Sequence, residues 1–259
     1  MPTKAASIDA AATTLLDAEE LRADRAPLTD HWPRLDIATA YAIQHETLRR
    51  RLARGERLVG LKLGLTSATK QQQMGVSSPL TAWLTDAMQM SRGGTLPYDK
   101  LIHPRVEPEV VFVMGEELRG PVTREQALKA VDHVVCGLEI IDSRYTDFRF
   151  TLPDVIADNA SSALFVLGTQ HVDPGDLDLA MERCRLTVDG QEVAVGRGGD
   201  VQGHPAEALA RAVNDLAERG LSVEAGWTVL TGGITDAVTM RPGSTVAVEF
   251  DRLGAIELR

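Results

Sequence analysis

The chain reads as an α+β protein, and three observations carry that reading. Two helical periodicities fill the stretch before residue 55, and short β-branched apolar runs dominate after residue 100. No repeat, low-complexity tract or linker separates the two parts. The expected organisation is an N-terminal helical α/β layer over 1–80 and a β-rich unit over 81–259, or both as one continuous domain.

The elements follow in order. Ser7 to about Arg25 is Ala-rich and helical, with Leu15, Leu16 and Leu21 spaced for one face. A polar connector through Pro27, Asp30 and Pro33 leads to Asp36, placed to cap a helix that runs to about Arg54. On that helix Arg49-Arg50-Arg51 reads as a solvated face. After Gly55, residues 58–66 form a strand in which Lys62 has apolar neighbours on both sides. Such a lysine either snorkels outward or is held inside beside carboxylates. Thr66-Ser67 opens a short helix, residues 75–79 are loop, and Leu80 to Met88 is a mixed segment able to close over a site.

Val110 to Met114 is a buried strand, and Thr123 caps a helix over Arg124 to His133. Val134 to Asp142 is another apolar run, with Glu139 embedded in it. Residues 153–162 are dense in Asp, Asn and Ser, which suits contact with a ligand or, equally, a capped helix start or tight turn. Hairpin turns are expected at Asp189-Gly190 and Gly198-Gly199. Ala206 to Arg219 is the last amphipathic helix, with Gly220 at its end. Strands at 228–230, 246–250 and 255–258 complete the chain.

Composition narrows the function. Of 259 residues, 44% are hydrophobic and 25% charged, an ordinary globular balance. The net charge of −10 argues against a nucleic-acid partner. No run is long and apolar enough to span a membrane and no basic-plus-apolar leader opens the chain, so a cytoplasmic location is expected. Cys136 and Cys184 lie in apolar runs without metal spacing and read as reduced core residues.

The chemistry concentrates in acidic residues. Glu107 and Glu109 stand two apart at the start of a strand, so their side chains share a face. Two neighbouring carboxylates at a buried strand repel each other, and a hard cation such as Mg²⁺ or Mn²⁺ removes that cost; a solvated strand end would also tolerate them. If the run carrying Glu139 lies alongside, a facial set of three carboxylates forms, leaving roughly three octahedral positions for water and a chelating substrate. Alternatively Glu139 pairs with an arginine such as Arg105 or Arg144.

Four segments, in order and spacing, resemble the hydratase/decarboxylase branch of the fumarylacetoacetate hydrolase-like superfamily. They are Gly-Leu-Lys-Leu-Gly-Leu-Thr-Ser (60–67), His-Pro-Arg-Val-Glu-Pro-Glu (103–109), Leu-Glu-Ile-Ile-Asp-Ser-Arg-Tyr (138–145) and Phe-Thr-Leu-Pro-Asp-Val-Ile-Ala-Asp-Asn-Ala-Ser-Ser (150–162). The last two look more like the family's decarboxylases than its hydratases. The resemblance implies a mixed β-roll or barrel core with an N-terminal α/β layer. It also implies a Mg²⁺ or Mn²⁺ site on Glu107, Glu109 and Glu139, an active-site lysine at Lys62, and a polar pocket segment at Asp158, Asn159 and Ser161. The implied substrate is a 2-oxo-3-enedioate of aromatic meta-cleavage catabolism, decarboxylated to a dienoate, with hydration of the dienoate as the alternative. A homo-oligomer, and a complex with the pathway's hydratase, are the implied partners. One departure is His204-Pro205, where the family usually shows Asn-Pro before the last helix. The far end of the substrate is expected against apolar side chains of 80–84 and 145–152, with Arg144 held away in a structural pair.

Overall fold

The computed structural model describes residues 7–259, without the side chains of residues 68, 70 and 73. Ser7 caps α1 (Ile8–Leu21) by accepting the Ala10 N–H at 3.1 Å. A single turn, α2 (Leu28–His31), follows, and Asp36 caps α3 (Ile37–Ala53) by accepting the Thr39 N–H at 2.7 Å. Ala11, Ala12, Leu15, Ala40 and Ile43 form a small apolar core with Tyr145, Val155 and Ile156. The arginine triplet departs from the expected solvated face. Arg49 is exposed, but Arg50 bridges Asp9 and Glu46 at 2.6 and 2.7 Å, and Arg51 pairs with Glu19. Two of the three arginines therefore tie α1 to α3.

The remaining elements are β1 (Leu58–Gly64), α4 (Ala68–Met74), β2 (Leu80–Thr85), β3 (Gln89–Met90), β4 (Arg105–Met114) and α5 (Arg124–Lys129). Next come β5 (Val131–Ile141), α6 (Leu152–Ala157), β6 (Ser162–Leu167), β7 (Arg183–Val188), β8 (Gln191–Arg197) and α7 (Pro205–Glu218). The chain closes with β9 (Thr228–Leu230), β10 (Val238–Thr239), β11 (Val246–Phe250) and β12 (Gly254–Leu258). Eight strands form a mixed sheet in the order β2-β1-β9-β4-β5-β6-β3, with β10 pairing to the start of β4. Within it β1–β9 and β3–β6 are parallel and the other pairs antiparallel. A second, antiparallel sheet has the order β12-β11-β7-β8. The main core unites both sheets with α7, through residues such as Val110, Phe112, Leu138, Leu209, Val213, Val248 and Leu258.

Several expectations change. Leu80 to Met88 is no cover: β2 is buried at every position and pairs with β1. The α5 helix stops at Lys129, because Val131, Val134 and Val135 are more useful as a strand against β4 than as a third turn. Gly198-Gly199 makes a short 3₁₀ turn, and a Cβ on Gly198 would lie 1.9 Å from the Leu179 carbonyl oxygen. Asp189-Gly190 is the expected two-residue hairpin turn, both residues having positive φ. His204 replaces the expected Asn as a cap, its Nδ1 accepting the Ala206 N–H at 3.1 Å. Because β1 sits between β2 and β9, a boundary at residue 80 cuts through the large sheet.

Among the described residues no helix is long and apolar enough to cross a membrane. Cys136 and Cys184 are free and buried, and burial pushes their thiols up to about 11 and about 12, which keeps them unreactive.

Candidate metal centre

The β4–β5 register places Glu107 directly opposite Glu139, with Glu109 opposite Gly137. Strand alternation puts Glu107 and Glu109 on one face, so all three carboxylates converge. One oxygen from each lies within 4.8 Å of the others. Glu109 and Glu139 are fully buried. Like charges directly opposite in a sheet are destabilising, and burial without counter-charge adds desolvation.

Two glycines after β9 complete the enclosure. Gly232, at φ +115°, donates its N–H to Glu109 Oε2 at 2.6 Å. A Cβ there would fall 2.0 Å from Thr66 Oγ1, and one on Gly233 would fall 2.7 Å from Glu107 Oε2. Sequence reasoning passed over this pair, although adjacent glycines directly after an apolar strand mark close backbone approach.

Glu139 pairs with neither arginine considered for it. Lys62 Nζ donates to its Oε2 at 3.0 Å and the Ser162 hydroxyl to its Oε1 at 2.9 Å. Lys62 is thus held inside, its side chain only 5% exposed. Burial lowers its pKa, but Glu139, Glu107 and Glu109 outweigh that and the net shift is upward. Glu109 is raised well above the carboxylate range by burial first, then by Glu139 and Glu107 against the pull of Lys62. Its Oε1 has no hydrogen-bond partner among the described residues. A buried, unsatisfied carboxylate oxygen facing two other carboxylates is the donor set a hard divalent cation takes, so the residues present fit one.

Of these groups, Lys62 and Glu107 line a cleft of about 390 Å³ whose wall includes Leu65, Leu80, Arg105, Phe148, Phe150 and Ser161, with Glu109 and Glu139 buried behind them. Of the apolar residues expected around the far end of the substrate, Leu80, Phe148 and Phe150 line the cleft. Leu84 instead packs with Val111 and Phe165 in a separate apolar cluster, and Tyr145 belongs to the core of the helical layer.

Of Asp158, Asn159 and Ser161, only Ser161 lines the cleft. Asn159, Ala160 and Ser161 all have left-handed backbone, at φ +50°, +50° and +59°. For residues other than glycine this costs roughly 1–2 kcal/mol apiece. Asp158 and Asn159 face away from the cleft and hold that turn. Asn159 accepts the Trp83 N–H at 2.8 Å and donates to the Trp83 carbonyl at 2.9 Å. Arg144 pairs with the Asp158 carboxylate, and its guanidinium also donates to the carbonyls of Asp142 at 2.8 Å and Ser162 at 3.2 Å. Burial pushes the Asp158 carboxyl up to about 6 even beside Arg144. Both residues act by placing Ala160 and Ser161.

Other motif residues also brace. Asp142 accepts the N–H groups of Ile102 and His103 at 2.8 and 2.7 Å, fixing the chain just before β4. Asp154 accepts two hydrogen bonds each from Thr29 and Thr151, at 2.6 to 2.9 Å.

The fold and site define a class: a mixed-sheet α+β protein carrying three converging glutamates and a buried lysine beneath an aromatic cleft. Residues 67–259 match the family model described as fumarylacetoacetate (FAA) hydrolase C-terminal. The chain is 43% identical over 233 residues to a 4-oxalocrotonate decarboxylase of Pseudomonas sp. (strain CF600), covering 90% of this chain and 88% of that one. It is 36% identical over 247 residues to a 2-keto-4-pentenoate hydratase of Paraburkholderia xenovorans (strain LB400), covering 95% and 92%. Among solved structures, a 4-oxalocrotonate decarboxylase from Pseudomonas putida G7, complexed with magnesium and adipate, superposes with a TM-score of 0.95 at 39% identity, covering 97% and 96%. The chain belongs to the fumarylacetoacetate hydrolase family of enzymes, in the branch that holds these decarboxylases and hydratases.

Proposed function

We propose that this chain decarboxylates 4-oxalocrotonate, a 2-oxo-3-enedioate, to 2-hydroxypenta-2,4-dienoate in a divalent-metal-dependent reaction. The observation that carries the reading is the unpartnered Glu109 Oε1 among three carboxylates, set beneath a cleft with an aromatic and aliphatic wall. The decarboxylase relatives support it, as does the magnesium in one of their structures. Glu107, Glu109 and Glu139 would hold Mg²⁺ or Mn²⁺. When bound, the ion supplies Lewis acidity to the carboxylate and keto oxygens of a 2-oxo acid.

The bond that breaks is C5–C6. Its electron pair moves through the C3–C4 double bond onto the C2 oxygen, C6 leaves as carbon dioxide, and the oxygen takes a proton. The Lys62 ammonium, fixed by Glu139, is a preorganised positive charge beside developing negative charge and a carrier for that proton. Leu65, Leu80, Phe148 and Phe150 limit water around the departing carboxylate. Arg144, locked on Asp158, cannot tighten ground-state binding of that carboxylate. Ser161 lines the same wall, its hydroxyl donating to Asp158 at 3.3 Å.

The assay is 2-hydroxymuconate, equilibrated with its 2-oxo-3-ene tautomer, plus Mg²⁺, following both carbon dioxide and organic product. Carbon dioxide with 2-hydroxypenta-2,4-dienoate is the expected result. The hydratase relatives supply the second reading, which rapid hydration of the dienoate without carbon dioxide release would establish. A homo-oligomer is part of the same proposal, since Met181, Val193 and Val195 expose apolar surface on and beside the edge strand β8. Light scattering showing only monomer at working concentration would remove it.

A further inference from the structure

We infer that Arg105 selects dicarboxylate substrates by holding the carboxylate farthest from the metal-ligating glutamates against the face of Phe148. The inference rests on the decarboxylase reading of the same cleft.

Two cationic residues line the cleft among those described, Lys62 and Arg105. Lys62 is engaged with Glu139 at 3.0 Å. Arg105 forms no ion pair among the described residues. Its guanidinium lies 3.9 Å from the centroid of the Phe148 ring. A guanidinium stacked on a ring keeps its edge N–H groups available, and that edge matches a carboxylate as a two-pronged donor.

Position supports the role. Arg105 precedes Glu107 by two residues on β4, so it shares the face of the metal-ligating glutamates about 7 Å along the strand. In a 2-oxo-hexenedioate four bonds separate the keto carbon from the distal carboxylate carbon. The spacing suits one end at the glutamates and the other at the guanidinium. The backbone of Arg105 is paired on both sides, to Ile141 of β5 and Thr239 of β10, so its stem starts from a fixed point. Phe148 is also held. It and Asp147 both have φ of +56°, and the Phe148 ring sits 4.8 Å from that of His103. A preplaced cation costs less ordering when the ligand arrives.

The chemistry sets a limit on what Arg105 contributes. A cation on the departing carboxylate stabilises the bound diacid more than the transition state, where that charge has moved toward C2. Arg105 therefore governs which acid binds, and its loss appears in KM rather than kcat.

The test compares 2-oxoadipate with 2-oxohexanoate on the Mg²⁺-loaded full chain, by calorimetry. Both have six carbons and the same 2-oxo acid head; neither has the double bond needed to lose carbon dioxide. The protein should prefer 2-oxoadipate. Arg105→Met should reduce its affinity by about 10- to 100-fold, the range for a lost charge-assisted contact, while 2-oxohexanoate and Mg²⁺ bind as before. KM for the enedioate should rise with kcat unchanged or slightly higher. Equal weakening for both acids, or an unchanged ratio, overturns the inference. If Arg105→Met does not fold, Arg105→Lys keeps a charge without the fork and should give an intermediate ratio; an unaltered ratio there overturns it equally. Absence of carbon dioxide release by the unmutated protein would count against the decarboxylase reading alone, since the diacid preference is measured separately.

Discussion

Two sets of buried carboxylates lie close together in this molecule and have opposite surroundings. Asp154 and Asp158 are saturated. The first accepts four hydrogen bonds, and the second is paired with Arg144 and accepts further bonds from Ser143, Ser161 and the Arg144 N–H at 3.2 to 3.4 Å. Glu107, Glu109 and Glu139 face one another beside the buried Lys62, which is engaged with Glu139, and among the described residues Glu109 Oε1 has no hydrogen-bond partner. Burial alone does not separate the two sets, since members of both are inaccessible to solvent. What separates them is whether the protein itself completes the donor set. The saturated aspartates stabilise a shape; the glutamates make up the donor set of the proposed metal site.

The largest test of that contrast removes the arginine. Arg144→Met leaves Asp158 buried and uncompensated, so unfolding in urea should show a loss of about 3–5 kcal/mol with little change in Mg²⁺ affinity. A large fall in Mg²⁺ affinity would mean the two sets are not independent.

On the other side, Lys62→Met should lower turnover about 10²–10³-fold, the effect of removing one preorganised charge near the reacting oxygen. It should also destabilise the metal-free protein more than the metal-loaded one, because Glu139 loses its counter-charge and the cation can replace it. Steady-state rates and paired thermal melts read both effects. Near-normal turnover would leave Lys62 a structural lysine.

Glu109→Gln should weaken Mg²⁺ binding by about tenfold or more, yet raise the melting temperature of the metal-free protein at pH above the Glu109 pKa, since the buried charge beside Glu107 and Glu139 can no longer form. The same change at Asp154 should only destabilise. A metal-free Glu109→Gln protein that melts lower would erase the distinction between the sets.

The smallest effect is a fraction of a proton. Burial and its two neighbours raise the Glu109 pKa in the folded state above its unfolded value. Metal-free stability therefore falls as pH climbs from the unfolded pKa through the folded one. Over the same interval Mg²⁺ affinity rises and binding releases protons. Calorimetry in buffers of different ionisation enthalpy measures that release, and none at any pH in the interval would mean Glu109 is already ionised.

Much of this was legible before the fold. The caps at Asp36 and Thr123, the helices they start and the strand after Glu109 depend on neighbours in sequence. The converging glutamates could be named because i and i+2 on a strand share a face whatever the sheet around them. The extended reach of α5 failed where a β-branched run found a long strand to pair with, which is a tertiary decision overriding a local cap. Asp158 and Asn159 were expected in the pocket, yet the left-handed turn they hold points them at Arg144 and Trp83.

By itself, the sequence determined which residues carry oxygen donors and positive charge, and which local segments are helix, strand or turn. Only the tertiary structure decided that Glu139 meets Lys62 rather than Arg144, that Gly232 and Gly233 wrap the glutamates, and that Arg105 lies over Phe148. The physical reason is range. Caps and alternation are settled within a few residues, whereas those partners lie 77, 123 and 43 positions apart, joined only by the register of β4, β5, β1 and β9 and by the loops those strands position.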